Sequence, residues 1–442
     1  MAVSPFDSAL YRDLFTDPDL RPLFTDTAEL RAMLLVEGTL AKVQGKLGII
    51  PQESGEFIHR ASLEIQLDPA ALAAETGRSG VCVPALVAAF RKAMDAPEHA
   101  QYVHWGATSQ DIIDTALILR LRQALAKMDT RLVALIRALG GLAGEHARLV
   151  MAARTWGQYA TPTTFGAVVA SWGRPLLRHR LRLIERRPRL LRLSLSGAAG
   201  TLSVLGEKGP DVVREMASAL GLEPPEGSWH SERDCIGELA GWCAGLTVSL
   251  GKMGEDLLIL TRSEIGEVAL SGGGGSSTMP QKSNPVLPSL LVTLARFAAA
   301  QESAVRAAVP HREQRDGAAW MLEWLSLPPL VMAAGRALQA AEDLAGGITP
   351  RADVMRAHLE ADGGMMLAEA LSFALAEHMP RPEAQAAVKA MTMQAKAEER
   401  PLLDLARERW PEMDFAARLA PEAQLGQAPA EAEAFARIAK SI

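Results

Sequence analysis

The stretch Ser271–Pro285 reads S-G-G-G-G-S-S-T-M-P-Q-K-S-N-P, and its surroundings decide the fold. It lies between two long apolar segments, as a glycine-rich loop joining two helices would. Four successive glycines open backbone conformations closed to other residues. Two hydroxyls, a lysine and an asparagine follow at once, with polar ends that can converge on a ligand. A flexible Gly/Ser linker is the plain alternative. A linker, however, has no need of Met279-Pro280, or of Lys282 and Asn284 so close behind.

Working outward, Ser231-Glu-Arg-Asp234 opens the helix before the loop, which runs to about Leu270, and Pro285 opens the one after it, to about Val309. A third long helix starts near Ile112, where Leu117, Leu121, Leu125, Met128, Leu132, Leu135, Leu139 and Leu142 recur at spacings of three and four. About 35 residues without a proline make roughly 50 Å of helix, the length of a long bundle. A further helix carries Trp320, Glu323 and Trp324 and is expected to stop before Pro328-Pro329. No strand-like alternation is evident. These long helices predict an all-α chain with a central bundle domain at 105–346. Shorter helical pieces at 1–104 form an N-terminal domain. A small C-terminal domain at 347–442 has its rhythm broken at Pro380, Pro382, Pro401 and Pro411.

Composition narrows the function. The 442 residues carry a net charge of −6 and only 5% aromatics, which argues against a nucleic-acid binder. The arginine run of 178–192 reads as a solvated or subunit-facing helix surface. Three widely spaced cysteines (Cys82, Cys235, Cys243) suggest neither a disulfide framework nor a zinc site, and point to a reducing cytoplasm. No basic start with an apolar core and no long uncharged apolar run is present, so neither a leader nor a membrane span is expected. The P-loop pattern fails, because in the register set by Lys282-Ser283 its two glycines fall on Ser276 and Gln281. No GxSxG elbow or HExxH motif occurs, and no metal or cofactor is expected.

Two further polar loops accompany the first. Gln101–Asp114 carries His104, Thr108, Ser109 and Asp111, and for the Thr-Ser-x-Asp cluster alone helix capping is the simpler account. Ala153–Gly166 carries Arg154, Thr155, Trp156, Gln158 and Pro162. His104 and His311 sit in polar loops as possible ligand contacts, whereas His146, His179 and His358 read as ordinary helix-surface residues. Loops at opposite ends of an antiparallel bundle lie tens of Å apart. A single site drawing on all three loops therefore requires several subunits.

These three loops resemble the signature regions of the fumarase/aspartase superfamily, whose third motif is G-S-S-x-M-P-x-K-x-N. The chain matches every fixed position, at Gly275, Ser276, Ser277, Met279, Pro280, Lys282 and Asn284. The first two regions match at Thr108-Ser-x-Asp111 and at Arg154-Thr-x-x-Gln-x-Ala-Thr-Pro. The resemblance implies a three-domain all-α fold whose central helices form a homotetramer core, with active sites shared between subunits. It assigns Ser276 as acid and base at a carbon α to a carboxylate. A serine alkoxide needs stabilisation, which loop N–H groups and the Lys282 ammonium can supply. Lys282 and Asn284 would hold the carboxylate on which charge builds up. Thr108, Ser109, Thr155 and Gln158 would bind the remaining carboxylates, with His104, Arg315 and Ser277 also in contact with substrate. Arg78 and Arg312 compete with Arg315 for a third carboxylate.

The departures from the pattern bear on the reaction. Many members of the superfamily have a histidine where this chain has Trp156 and a glutamate where it has Ser289. An indole N–H only donates and cannot shuttle a proton. A carboxylate leaving group needs no proton, since its conjugate acid has a pKa of about 4. The chain therefore resembles the branch that interconverts 3-carboxy-cis,cis-muconate and 4-carboxymuconolactone in protocatechuate degradation, part of the β-ketoadipate pathway. It shares with that branch His104-Trp-Gly-Ala-Thr-Ser-Gln-Asp111, Arg315, Gly317, Trp320 and Glu323-Trp324. The alternative is a lyase of the same fold that expels another stable anion, such as nitrite from nitrosuccinate. Adenylosuccinate cleavage fits less well, because an amine leaves only with a proton. A catalytically dead helical assembly protein would not need Ser276, Lys282 and Asn284 in this array.

Overall fold

The computed structural model describes residues 3–275, 278–415 and 418–442, and its elements are overwhelmingly helical. In chain order, α1 (Asp26–Lys46), α2 (Gln52–Glu64) and α3 (Val83–Met94) precede α4 (Ser109–Glu145). Then come β1 (Val150–Thr155), β2 (Gln158–Thr164), α5 (Phe165–Leu190), α6 (Gly209–Leu220), α7 (Asp234–Leu260) and β3 (Val268–Leu270). Two-residue strands β4 (Gly274–Gly275) and β5 (Ser283–Asn284) lead into α8 (Val286–Ala308) and α9 (Gly317–Ala345), after which β6 (Ile348–Pro350) opens a run of shorter helices.

The chain forms two compact units, each assembled from three segments. The first takes in Met1–Arg131, His179–Val248 and Leu294–Gln339. Here α1 lies tightly on α2 because glycines line the contact. A Cβ on Gly38 would stand 1.9 Å from Ser62 Oγ, and one on Gly55 would stand 2.5 Å from the Ala41 carbonyl oxygen. The inner face of α1 buries Leu30, Met33, Leu34 and Leu40, and with them two polar side chains, Glu37 and Gln44. Seven residues apart, these two share one helix face. A buried polar group requires a partner, and both find theirs on the loop before α4.

The second unit takes in Leu132–Arg178, Ser249–Thr293 and Ala340–Ile442. Its β1–β2 hairpin closes through Trp156 and Gly157, both at positive φ (55° and 76°), with Thr155 paired to Gln158. Positive φ at both central residues matches the right-handed twist of the flanking strands. Residues 365–415, with Leu419, wrap a separate core that includes Leu371, Leu375, Val388, Met391, Leu405 and Phe415.

Several local expectations change. The long helix is longer than its leucine pattern, with 37 residues in α4. The helix carrying Trp320 does not stop at Pro328-Pro329 but continues as α9 to Ala345. Two prolines forfeit backbone bonds at about 3 kcal/mol or more each. Burial of Leu327, Leu330, Val331 and Leu338 offsets that cost. Between α5 and α7, α6 buries Val212, Val213, Met216 and Leu220 on one face. A helix runs from Pro69 to Ser79, capped by Asp68 and ended by Gly80 at φ 72°. The polar loop read at 153–166 lies largely within the β1–β2 hairpin, and the next helix starts at Phe165.

Candidate active site

In the first unit the site begins with a pinned loop. His104, at φ 65°, donates from Nδ1 to Glu37 Oε1 at 2.7 Å, and Gln44 donates to the Trp105 carbonyl at 2.7 Å. Burial pushes the His104 pKa down, but the hydrogen bond and charge of Glu37 outweigh it, and the net shift is upward. Gly106 follows at φ 75°, where a Cβ would meet Leu205 at 2.8 Å.

Asp111 ties this loop to a second one. Fully buried, it accepts from the Thr108 N–H (2.9 Å), the Ser196 N–H (2.8 Å), the Gly197 N–H (3.0 Å) and His230 Nε2 (2.8 Å). The bond back to Thr108 caps the first turn of α4. Capping thus falls to Asp111. The Thr108 and Ser109 hydroxyls are half-buried and have no partner among the described residues, at the N-terminus of a 37-residue helix. Such a terminus favours anions, through its free N–H groups and the helix dipole.

Beneath the loop lies a buried charge cluster. Arg233 bonds Asp114 (2.6 and 3.2 Å) and Glu323 (3.0 and 2.6 Å), with its guanidinium 4.8 Å from the Trp229 ring centre. Burial raises the Glu323 pKa against the pull of Arg233. Trp320 is buried, with its ring centre 4.6 Å from that of the half-buried Trp324.

The three arginines that compete for a carboxylate separate cleanly. Arg78 is taken up by Glu75, and Arg312 by Asp316 at 2.6 Å. That Arg312 bond, helped by the Ala319 N–H, holds the Asp316 carboxyl well below the usual range. Arg315 has no acidic partner among the described residues. Its Nε donates to Gln110 Oε1 at 2.8 Å and its Nη2 to the Ala198 carbonyl at 3.3 Å. His311 is half-buried, and burial together with Arg233 pushes its pKa down.

In the second unit, Thr155 and Gln158 flank the hairpin turn, exposed, and Trp156 at the tip is 102% exposed, touching none of the core. Arg154 sets the hairpin by forking onto buried Glu267 (2.9 and 2.8 Å), a pairing that raises the arginine pKa. His358 donates to the same Glu267 at 2.7 Å. It is therefore part of this anchor and not a plain surface residue, and His179 is likewise buried.

The glycine-rich loop uses its glycines mostly for close approach. Only Gly272 takes a positive φ, of 79°. A Cβ on Gly273 would stand 1.8 Å from Ser283 Oγ, and one on Gly274 would stand 2.7 Å from Val286 Cγ2. β4 and β5 pair across this gap, placing Asn284 opposite Gly274 and leaving Lys282 exposed with no acidic partner among the described residues. Ser276 and Ser277 lie outside the described residues. Ser289 returns its hydroxyl to the Pro285 carbonyl at 2.9 Å. Among the described residues, no group of three or more His, Cys, Asp or Glu side chains could hold a metal ion, and no helix is long and apolar enough to cross a membrane.

The family model described as lyase matches residues 15–298. The chain belongs to this lyase family. Its fold is the all-α fold of the fumarase/aspartase superfamily. The 3-carboxy-cis,cis-muconate cycloisomerase of Pseudomonas aeruginosa is 39% identical over 398 residues, spanning 89% of this chain and 87% of that protein. The N-acetyl-S-(2-succino)cysteine lyase of Dickeya dadantii is 34% identical over 404 residues, spanning 89% and 87%. The crystal structure of 3-carboxy-cis,cis-muconate lactonizing enzyme from Pseudomonas putida aligns with a TM-score of 0.93 at 35% identity, over 98% of this chain and 99% of that one. Within the family, sequence reasoning missed Gln110, His230, Arg233 and Glu267. Gln110 sits in the first turn of α4, while His230, Arg233 and Glu267 lie in connecting segments, where no periodicity marks them.

Proposed function

We propose that this enzyme interconverts 3-carboxy-cis,cis-muconate and 4-carboxymuconolactone, by proton transfer at carbon through Ser276. The observation that carries this reading is the hairpin tip. Between Thr155 and Gln158 it presents the indole of Trp156, with no group able to protonate a leaving atom. A carboxylate that adds to a double bond, or departs from it, needs no such group.

In the lactonising direction, a substrate carboxylate oxygen forms the new C–O bond and one C=C bond opens. The electron pair moves onto the neighbouring carboxylate as an enolate. Lys282 and Asn284 stabilise that charge, and a proton passes from the Ser276 hydroxyl to the α-carbon, to be restored from solvent. Thr108 and Ser109 at the α4 terminus, Thr155 and Gln158 on the hairpin, and Arg315 hold the carboxylates, with His104 and Ser277 beside them. No cofactor enters this scheme. The protein works as a homotetramer whose active sites draw on more than one subunit, and the unpaired cysteines suit a reducing cytoplasm.

Departure of a thiolate or of nitrite, as in a lyase of the same family, is the second reading, and the indole at position 156 is compatible with it. Incubation with 3-carboxy-cis,cis-muconate, followed by loss of diene absorbance, decides between them. Well-folded oligomer that fails to turn it over near pH 7.5 would sink the lead reading.

A further inference from the structure

Gln110 occupies the variable place in Thr-Ser-x-Asp, yet it is fully buried and every polar atom of its amide is engaged. Its Nε2 donates to the His230 carbonyl at 2.9 Å and to Asp114 Oδ2 at 3.2 Å, while its Oε1 accepts from Arg315 Nε at 2.8 Å. We infer that Gln110 is the positioning residue for Arg315, a fixed amide that holds the guanidinium ready for a substrate carboxylate. The inference rests on the carboxylate-binding role given to Arg315 above.

The surroundings determine which way the amide points. Reversing it would turn its oxygen toward a carboxylate and a carbonyl, and its NH2 toward a guanidinium, three repulsions in place of three attractions. Asp114 cannot rotate away, because Arg233 holds both its oxygens and is itself held by Glu323. Glu323, Arg233, Asp114, Gln110 and Arg315 thus form one chain of bonds whose first four members are buried. Only the last reaches partial exposure, and it alone lacks a counter-charge among the described residues. A free arginine side chain loses rotamer entropy when a ligand fixes it. Fixing Nε through Gln110 and Nη2 through Ala198 removes much of that cost before a ligand arrives and leaves Nη1 uncommitted.

A double-mutant cycle tests this. Gln110→Met is expected to raise KM about tenfold with kcat within about twofold, the mark of lost uniform binding. Arg315→Met should raise KM further, and the double variant should be no worse than Arg315→Met alone. Losses that simply add would overturn the inference, since Gln110 would then act on the fold or on another group. Gln110→Asn is smaller and too short to span Asp114 and Arg315. It serves the same cycle if the methionine variant does not fold. Running the cycle on the Kd of citrate, a tricarboxylate, separates this inference from the substrate assignment. Citrate coupling without muconate turnover would sink only that assignment. Wild-type protein that binds neither citrate nor the muconate overturns the role of Arg315, and that of Gln110 with it.

Discussion

His230 Nε2 and Asp111 Oδ1 meet at 2.8 Å although 119 residues separate them in the chain, and both side chains are buried. The same carboxylate gathers the N–H groups of Thr108, Ser196 and Gly197, so one residue sets the course of two loops. Asp111→Ala strands three backbone donors and a histidine in a dry interior, where each unmet group costs about 1–3 kcal/mol. The variant should lose at least ~3 kcal/mol in urea unfolding followed by circular dichroism. A loss below about 1 kcal/mol would show that the loops stand without it.

The His104–Glu37 contact makes stability depend on pH. Because the His104 pKa is raised in the folded state, its contribution is fully present below the unfolded value of about 6.5 and fades as pH rises through the folded value. The stability gap between wild type and His104→Gln should therefore be widest near pH 6 and narrow by pH 9. A gap that widens with pH would contradict the sign of the shift.

Ser276→Ala should cut turnover by about 10²–10⁴, the usual share of a general acid or base. Lys282→Met should lower kcat by about 10²–10³ through loss of charge stabilisation. Lys282 is exposed, so its melting temperature should not move. Near-wild-type rates in either variant would remove that residue from the mechanism.

The proton balance separates the proposed reaction from its rivals. Three carboxylates with pKa values near about 4 enter and two leave, the third having become a lactone. Lactonisation at pH 7.5 should take up one proton per turnover, read with a weakly buffered indicator dye. Nitrite elimination would release a proton instead. Thiol elimination below a pKa of about 8.5 would leave the balance near zero.

Trp156→His restores an imidazole at the hairpin tip, but Ser289 supplies no carboxylate to pair with it. The variant should gain no activity toward amine-bearing substrates such as adenylosuccinate, by assay of fumarate release. Appearance of that activity would mean that the histidine acts without its glutamate.

What the sequence determined by itself were the parts whose cause is local. The leucine spacing of α4 fixes a helix because burial repeats with the helical turn. The run Gly275–Asn284 identified its family because each position is set by chemistry within one loop. Even there the physical use of the glycines differed: Gly273 and Gly274 clear room for Ser283 and Val286, and only Gly272 needs a left-handed backbone. The tertiary structure alone decided which charges are spoken for. Arg78, Arg312 and Arg315 look alike in sequence, and only the fold gives the first two a carboxylate and the third an amide. It also decided that Asp111 caps and anchors while Thr108 and Ser109 stay open. A hydrogen-bond partner 119 or 205 residues away leaves no periodic trace in the chain, because the bond is specified by packing and not by spacing.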